Sequence, residues 1–167
     1  MWAGCPHPAR FAANLVLMHL PHIIPFARKP VYFFTACTVG RRPLLACEES
    51  FNCLQNIWSQ SAEVDGWIVG RFVLMPDHLH LFASPLPWAK SRNQWLKLWK
   101  SVSSRRLVKI LNIDPPFWQA DTFDHIIRNA ESFSEKLEYM KENPVQKDLV
   151  NRTEDWPWQG ELHDLSF

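Results

Sequence analysis

Residues 66–84 read GWIVGRFVLMPDHLHLFAS. Gly66–Met75 is rich in β-branched and aromatic residues and predicts a strand. Met75-Pro76-Asp77 then turns the chain, and His78–Ser84 predicts a second strand beside the first. Upstream, Val31–Val39 (VYFFTACTV) is a further strand, closed by Gly40-Arg41-Arg42-Pro43. Between them, Glu48 to about Ala62 carries Phe51, Leu54, Ile57 and Trp58 at helical spacing. Downstream, Ser91 to about Leu111 predicts a long helix, and Phe117–Ile127 a fourth strand that could break near Asp121. Ser132-Phe133-Ser134-Glu135 has the form of a capping box opening a last helix, which Asn143-Pro144 should end, because a residue before proline avoids helical geometry. The order β-α-β-β-α-β plus one helix predicts an α+β, ferredoxin-like fold. Its antiparallel sheet should carry two helices on one face, and the added C-terminal helix carries a tyrosine, Tyr139.

Composition fits one globular domain: 167 residues, 47% apolar and 21% charged. Residues 1–30 read as an N-terminal extension, 31–150 as the folded domain, and 151–167 as a short tail with Trp156-Pro157-Trp158. Nine Trp and eleven Phe suit a packed core first and base-stacking second. The net charge of +1 announces no polyanion partner, so any nucleic-acid binding must come from a local patch. Cys5, Cys37, Cys47 and Cys53 form no CxxC pair, which suggests reduced thiols in a cytoplasmic protein. Leu15–Leu20 is too short an apolar run to span a membrane.

Three features can carry chemistry. Alternate residues of a strand share a face, so His78 and His80 should point one way while Leu79 and Leu81 point into the core. Two adjacent imidazoles are a natural divalent-metal pair, or equally two polar residues on a solvated sheet face. On the last helix, Phe133, Leu137 and Met140 form an apolar stripe. Tyr139 lies about a quarter-turn off it, aligned with Lys136 and Asn143. It is either a reactive hydroxyl or a half-exposed ring covering the helix edge. Finally, no acidic residue occurs from His78 to Ile113, whereas Lys90, Arg92, Lys97, Lys100, Arg105, Arg106 and Lys109 are basic. Trp95, Leu98, Trp99 and Val102 should form the apolar face of this helix, with the cations opposite available to a polyanion. Jointly these are the parts of a phosphodiester-cleaving enzyme with a tyrosine nucleophile, which conserves bond energy in a phosphotyrosine.

Residues 75–81, MPDHLHL, resemble the MPDHxHL signature of the REP-associated tyrosine transposases, a branch of the single-tyrosine HUH transposases. Phe117-Trp118-Gln119, Phe123-Asp124-His125 with Arg128, and Tyr139-Met140-Lys141-Glu142-Asn143-Pro144-Val145 are similar to the family's second block, and Gly40–Leu44 to its opening. The resemblance covers roughly residues 31–158. It implies a catalytic domain over 31–150 in which His78 and His80 bind Mg²⁺ or Mn²⁺ and Tyr139 is the nucleophile. It further implies that Asn143 completes the metal site. The implied substrate is single-stranded DNA carrying REP-like palindromic hairpins, cut beside a short flanking tetranucleotide through a 5′-phosphotyrosine and rejoined. Lys90, Arg92, Lys97, Lys100, Arg105, Arg106 and Lys136 would contact DNA. The protein would be cytoplasmic and nucleoid-associated, without a membrane partner, and a monomer or homodimer. Acidic Glu138, Glu142 and Asp148 depart from what is often a more basic stretch in the family. The alternative is a domesticated hairpin-binding protein that no longer cuts. An RNA-binding module of the same fold would want aromatics where the two histidines stand.

Overall fold

The computed structural model describes residues 30–165; the predicted N-terminal extension lies outside the described residues apart from Pro30. Five strands form one antiparallel sheet in the order β4-β1-β3-β2-β5: β1 Val31–Thr38, β2 Trp67–Leu74, β3 His78–Pro85, β4 Trp118–Ile127 and β5 Gln159–Glu161. The first four strands stand in the ferredoxin-like order. Helices α1 (Glu48–Ser59), α2 (Ser61–Asp65), α3 (Arg92–Ile110) and α4 (Ala130–Gln146) complete the fold. No described helix is long and apolar enough to cross a membrane.

Strand alternation divides the interior in two. Phe34, Ala36, Leu79, Leu81 and Phe72 face α1 and α3, where they pack with Leu54, Trp58, Trp95, Trp99 and Leu107. Phe33, Phe82, Val73 and Met75 face the other way, against Met140 of α4. The sheet therefore separates α3 from α4. That separation governs which predicted residues can share a site.

Several local expectations are corrected. The tail is part of the fold: β5 pairs with β2, and Trp156 is buried with its indole N–H donating to the Leu74 carbonyl at 3.0 Å. A side chain on Gly160 would come within 2.8 Å of the Phe72 ring, so this edge pairing depends on glycine. Asn129 caps α4, its Oδ1 accepting from Ser132 N–H at 2.8 Å, so the helix starts before the predicted box. Nor does Asn143-Pro144 end it. Both residues are buried, and packing holds one more turn, to Gln146, with Pro144 inside. The helix predicted from Glu48 to about Ala62 is two pieces, α1 and α2. β4 is unbroken, but Ala36 pairs with Thr122 and Thr38 with Trp118, so β4 bulges opposite Cys37.

On α3 the buried stripe is Trp95, Trp99, Ser103 and Leu107, with Leu96 beside it, whereas Leu98 is 40% exposed and not on the apolar face. Ser91 and Gln94 close a capping box at its start. Of the thiols, Cys37, Cys47 and Cys53 are free; Cys5 lies outside the described residues.

Candidate active site

A cleft of about 760 Å³ opens on the α4 face of the sheet. Its lining includes Phe33 and Thr35 from β1, His78 and His80 from β3, Phe123 and His125 from β4, and Lys136, Tyr139 and Asn143 from α4. The alternation of β3 sends both imidazoles into this cleft, while Leu79 and Leu81 are fully buried on the opposite face. The two imidazole rings lie 5.0 Å apart between centroids and nearly perpendicular, at 82°.

Each ring is held through Nδ1. His78 Nδ1 is 2.6 Å from Asp77 Oδ1, and His80 Nδ1 is 2.8 Å from Thr35 Oγ1. Oxygen partners at both Nδ1 positions orient the rings and leave the two Nε2 atoms as the nitrogens a metal could take. Histidine ligands to metals are held in this manner. Arg41 reaches Asp77 Oδ2 at 3.3 Å, so the carboxylate bridges a guanidinium and an imidazole. Burial alone would raise the Asp77 carboxyl, but its hydrogen bond to His78 and the charges of His78 and Arg41 outweigh that and hold it below the usual carboxylate range.

His80 is 3% exposed and stacked on Phe33, with ring centroids 5.2 Å apart. Burial, aided by the charges of His78, Lys136 and Arg41, pushes its pKa down to about 3. Its imidazole is therefore neutral at physiological pH, the form that can ligate a metal. Its Nε2 lies 3.1 Å from Asn143 Nδ2, so the buried amide sits directly at the free nitrogen. Turning the amide over would present its oxygen instead, the hard donor that Mg²⁺ or Mn²⁺ requires. Among the described residues no group of three His, Cys, Asp or Glu side chains gathers at one point. Two imidazoles and one amide are the donors His78, His80 and Asn143 would offer, and they would suit a divalent ion that keeps several waters.

Tyr139 lies off the α4 stripe, 43% exposed, with its ring 5.3 Å from that of His80. Lys136 Nζ stands 5.8 Å from the Tyr139 ring centroid and 5.8 Å from that of Phe33, one turn earlier on the same helix face. Tyrosine, cation, histidine pair and amide thus meet in one cleft.

The other predicted DNA contacts do not. Of the seven basic residues proposed for DNA, Lys136 alone lines the cleft. Lys90 Nζ donates to Val64 O and Asp65 Oδ1, and Arg92 pairs with Asp124 on the α3 side. Lys100 is committed inside the fold: its Nζ donates to the carbonyls of Gln119, Ala120 and Asp121 and to Thr122 Oγ1, at 2.7 to 3.3 Å. Burial, opposed by Asp121, holds its pKa below the ordinary lysine range. Lys100 therefore secures the β4 bulge rather than facing solvent as an open phosphate contact. Lys97, Arg105 and Arg106 are exposed on α3, across the sheet from Tyr139. Lys97 lines a separate groove of about 550 Å³ between α3 and β4.

Sequence reasoning missed Thr35 and gave no role to Arg41, Phe123 or His125, which entered only through the family-like motifs. Asp77 was legible only as a turn residue, although its adjacency to His78 was the available signal.

No protein-family profile matches the chain. A REP-associated tyrosine transposase of Escherichia coli strain K12 is 27% identical over 105 residues, 62% of this chain and 57% of that protein. A Haemophilus influenzae protein provisionally given the same name is 24% identical over 151 residues, 84% of each chain. The solved structure of a REP-associated tyrosine transposase bound to a REP hairpin superposes with a TM-score of 0.65. It covers 83% of this chain and 90% of that one at 18% identity, a likeness of fold. The chain is similar in sequence and in fold to REP-associated tyrosine transposases. The Escherichia coli match spans little more than half of that protein's length. The ferredoxin-like expectation and the family resemblance thus both hold.

Proposed function

We propose that this relative of the REP-associated tyrosine transposases is a metal-dependent endonuclease and strand transferase for single-stranded DNA hairpins. The observation that carries the reading is the convergence of Tyr139 on the His78–His80 pair and Asn143 in one open cleft. In this mechanism the Tyr139 hydroxyl attacks the scissile phosphorus. An Oη–P bond forms, the P–O3′ bond breaks, the phenolic proton passes to solvent, and the departing 3′-oxygen takes up a proton. The downstream strand is left as a 5′-phosphotyrosine. Attack by a 3′-hydroxyl reverses the step and joins the strands without ATP. His78, His80 and Asn143 would hold the ion, and the Lys136 ammonium places positive charge beside the phosphate. Bound Mg²⁺ or Mn²⁺ would polarise that phosphate and offset the charge developing on it.

A hairpin as substrate is supported by the solved relative's bound REP hairpin. Incubating the protein with REP-type hairpin oligonucleotides should give cleavage with Mg²⁺ or Mn²⁺ and none with EDTA. Full cleavage in chelator would remove the metal from the reading.

A further inference from the structure

We propose that Phe123 is a base-stacking platform, which holds an unpaired base of the DNA strand whose backbone lies at His78 and His80. The inference rests on the nicking reading of the cleft and deepens it.

At 70% exposure Phe123 is the most exposed large apolar side chain among the described residues. Single exposed apolar residues are ordinary on protein surfaces, so its position decides the matter. Phe123 pairs in register with Thr35, and cross-strand partners point to the same face. Thr35 pairs in turn with His80 and bonds to its ring. Phe123 therefore rises from the cleft floor two strand spacings, about 10 Å, from the strand that carries the histidines. Phe33, Phe34, Phe82 and Phe117 each pack on another aromatic ring, whereas no such contact involves Phe123 among the described residues.

His125, two residues on and also exposed, continues the same face along the cleft wall. Lys136 and Lys147 line the same cleft. Lysines for phosphates beside a bare aromatic face are the combination that holds single-stranded nucleic acid without reading its sequence. The edge position matters too. Among the described residues no strand lies beyond β4, so a base can approach the ring from outside the sheet.

The test measures binding in EDTA, where no turnover intervenes, with two probes of equal length: single-stranded oligothymidylate and its fully abasic counterpart. Phe123→Ala and Phe123→Leu should each weaken oligothymidylate binding between about fivefold and about a hundredfold, while Phe123→Trp preserves it. On the abasic strand wild type and all variants should bind alike. Equal binding of oligothymidylate by wild type and Phe123→Ala would overturn the platform and leave the nicking reading intact. So would an equal loss on both probes, since the ring would then act on backbone or fold. Cleavage of REP-type hairpins by wild type, measured separately, decides the nicking reading itself.

Discussion

Asn143 Nδ2 lies 3.1 Å from His80 Nε2, so a helix residue one turn beyond Tyr139 touches the very nitrogen that a metal would take. The contact ties α4 to β3 and fixes the helix of Tyr139 against the histidine pair. It also makes the site sensitive to modest changes. His78→Ala and His80→Ala should each lower cleavage by at least about a hundredfold. Asn143→Ala, which loses a neutral ligand, should cost less, and Asn143→Asp should retain metal binding. Titrating Mn²⁺ into each variant by calorimetry checks the order. Unchanged Mn²⁺ affinity in Asn143→Ala would show that Asn143 acts through the fold alone.

Thr35 is the partner that fixes the His80 ring. Thr35→Val keeps the shape and removes the oxygen at Nδ1, so metal affinity should fall by about ten- to a hundredfold. The fold should persist, because the strand pairing of β1 does not use that hydroxyl. Unchanged Mn²⁺ affinity would mean that burial and the Phe33 stack suffice to hold the ring.

Acid should weaken the fold through His80. Its folded pKa of about 3 lies below the unfolded value near 6.5, so between those values the unfolded chain binds more protons. The contribution is fully present above pH 6.5 and is lost progressively as pH falls toward 3. Replacing His80 by Gln should remove this part of the pH dependence of the melting temperature, measured without metal. An unaltered slope in His80→Gln would assign the acid sensitivity to other groups, Asp77 first among them.

Lys97 and Lys100 should behave differently, although both lie on the cationic helix. Lys100→Met strips the donor from three carbonyls and should destabilise the fold by about 1–3 kcal/mol. Lys97→Gln should leave stability nearly unchanged. If its groove carries DNA, the same change should lower the salt slope of binding by up to about one unit. Urea melts and affinities at several salt concentrations separate the two effects.

Much of this was legible in the sequence because it depends on local periodicity. Alternation along HLHL placed two imidazoles on one face and two leucines in the core. Helical spacing placed Tyr139 off the buried stripe of α4. The features that escaped are tertiary. No pattern in α3 reveals that α3 and α4 lie on opposite faces of the sheet, and this removes most of the cationic helix from the cleft. Lys100 reads as a solvated cation until the β4 bulge supplies its carbonyl partners. Asn143-Pro144 reads as a stop until both residues are seen buried. The tail shows no strand signal in Gln159–Glu161, since three residues set no period; it is held by Trp156 and by pairing to β2.

The central claim is that the Tyr139 hydroxyl attacks phosphorus, and Tyr139→Phe tests it most directly because only that oxygen is removed. Wild type incubated with metal and a REP-type hairpin oligonucleotide labelled on the 3′ side of the cut should carry the label after denaturation. Peptide mapping should place it at Tyr139 rather than Tyr32, the only other tyrosine. Tyr139→Phe should fold and bind the oligonucleotide as wild type does, yet give neither cleavage nor adduct. A Tyr139→Phe protein that still cuts its DNA would contradict the mechanism.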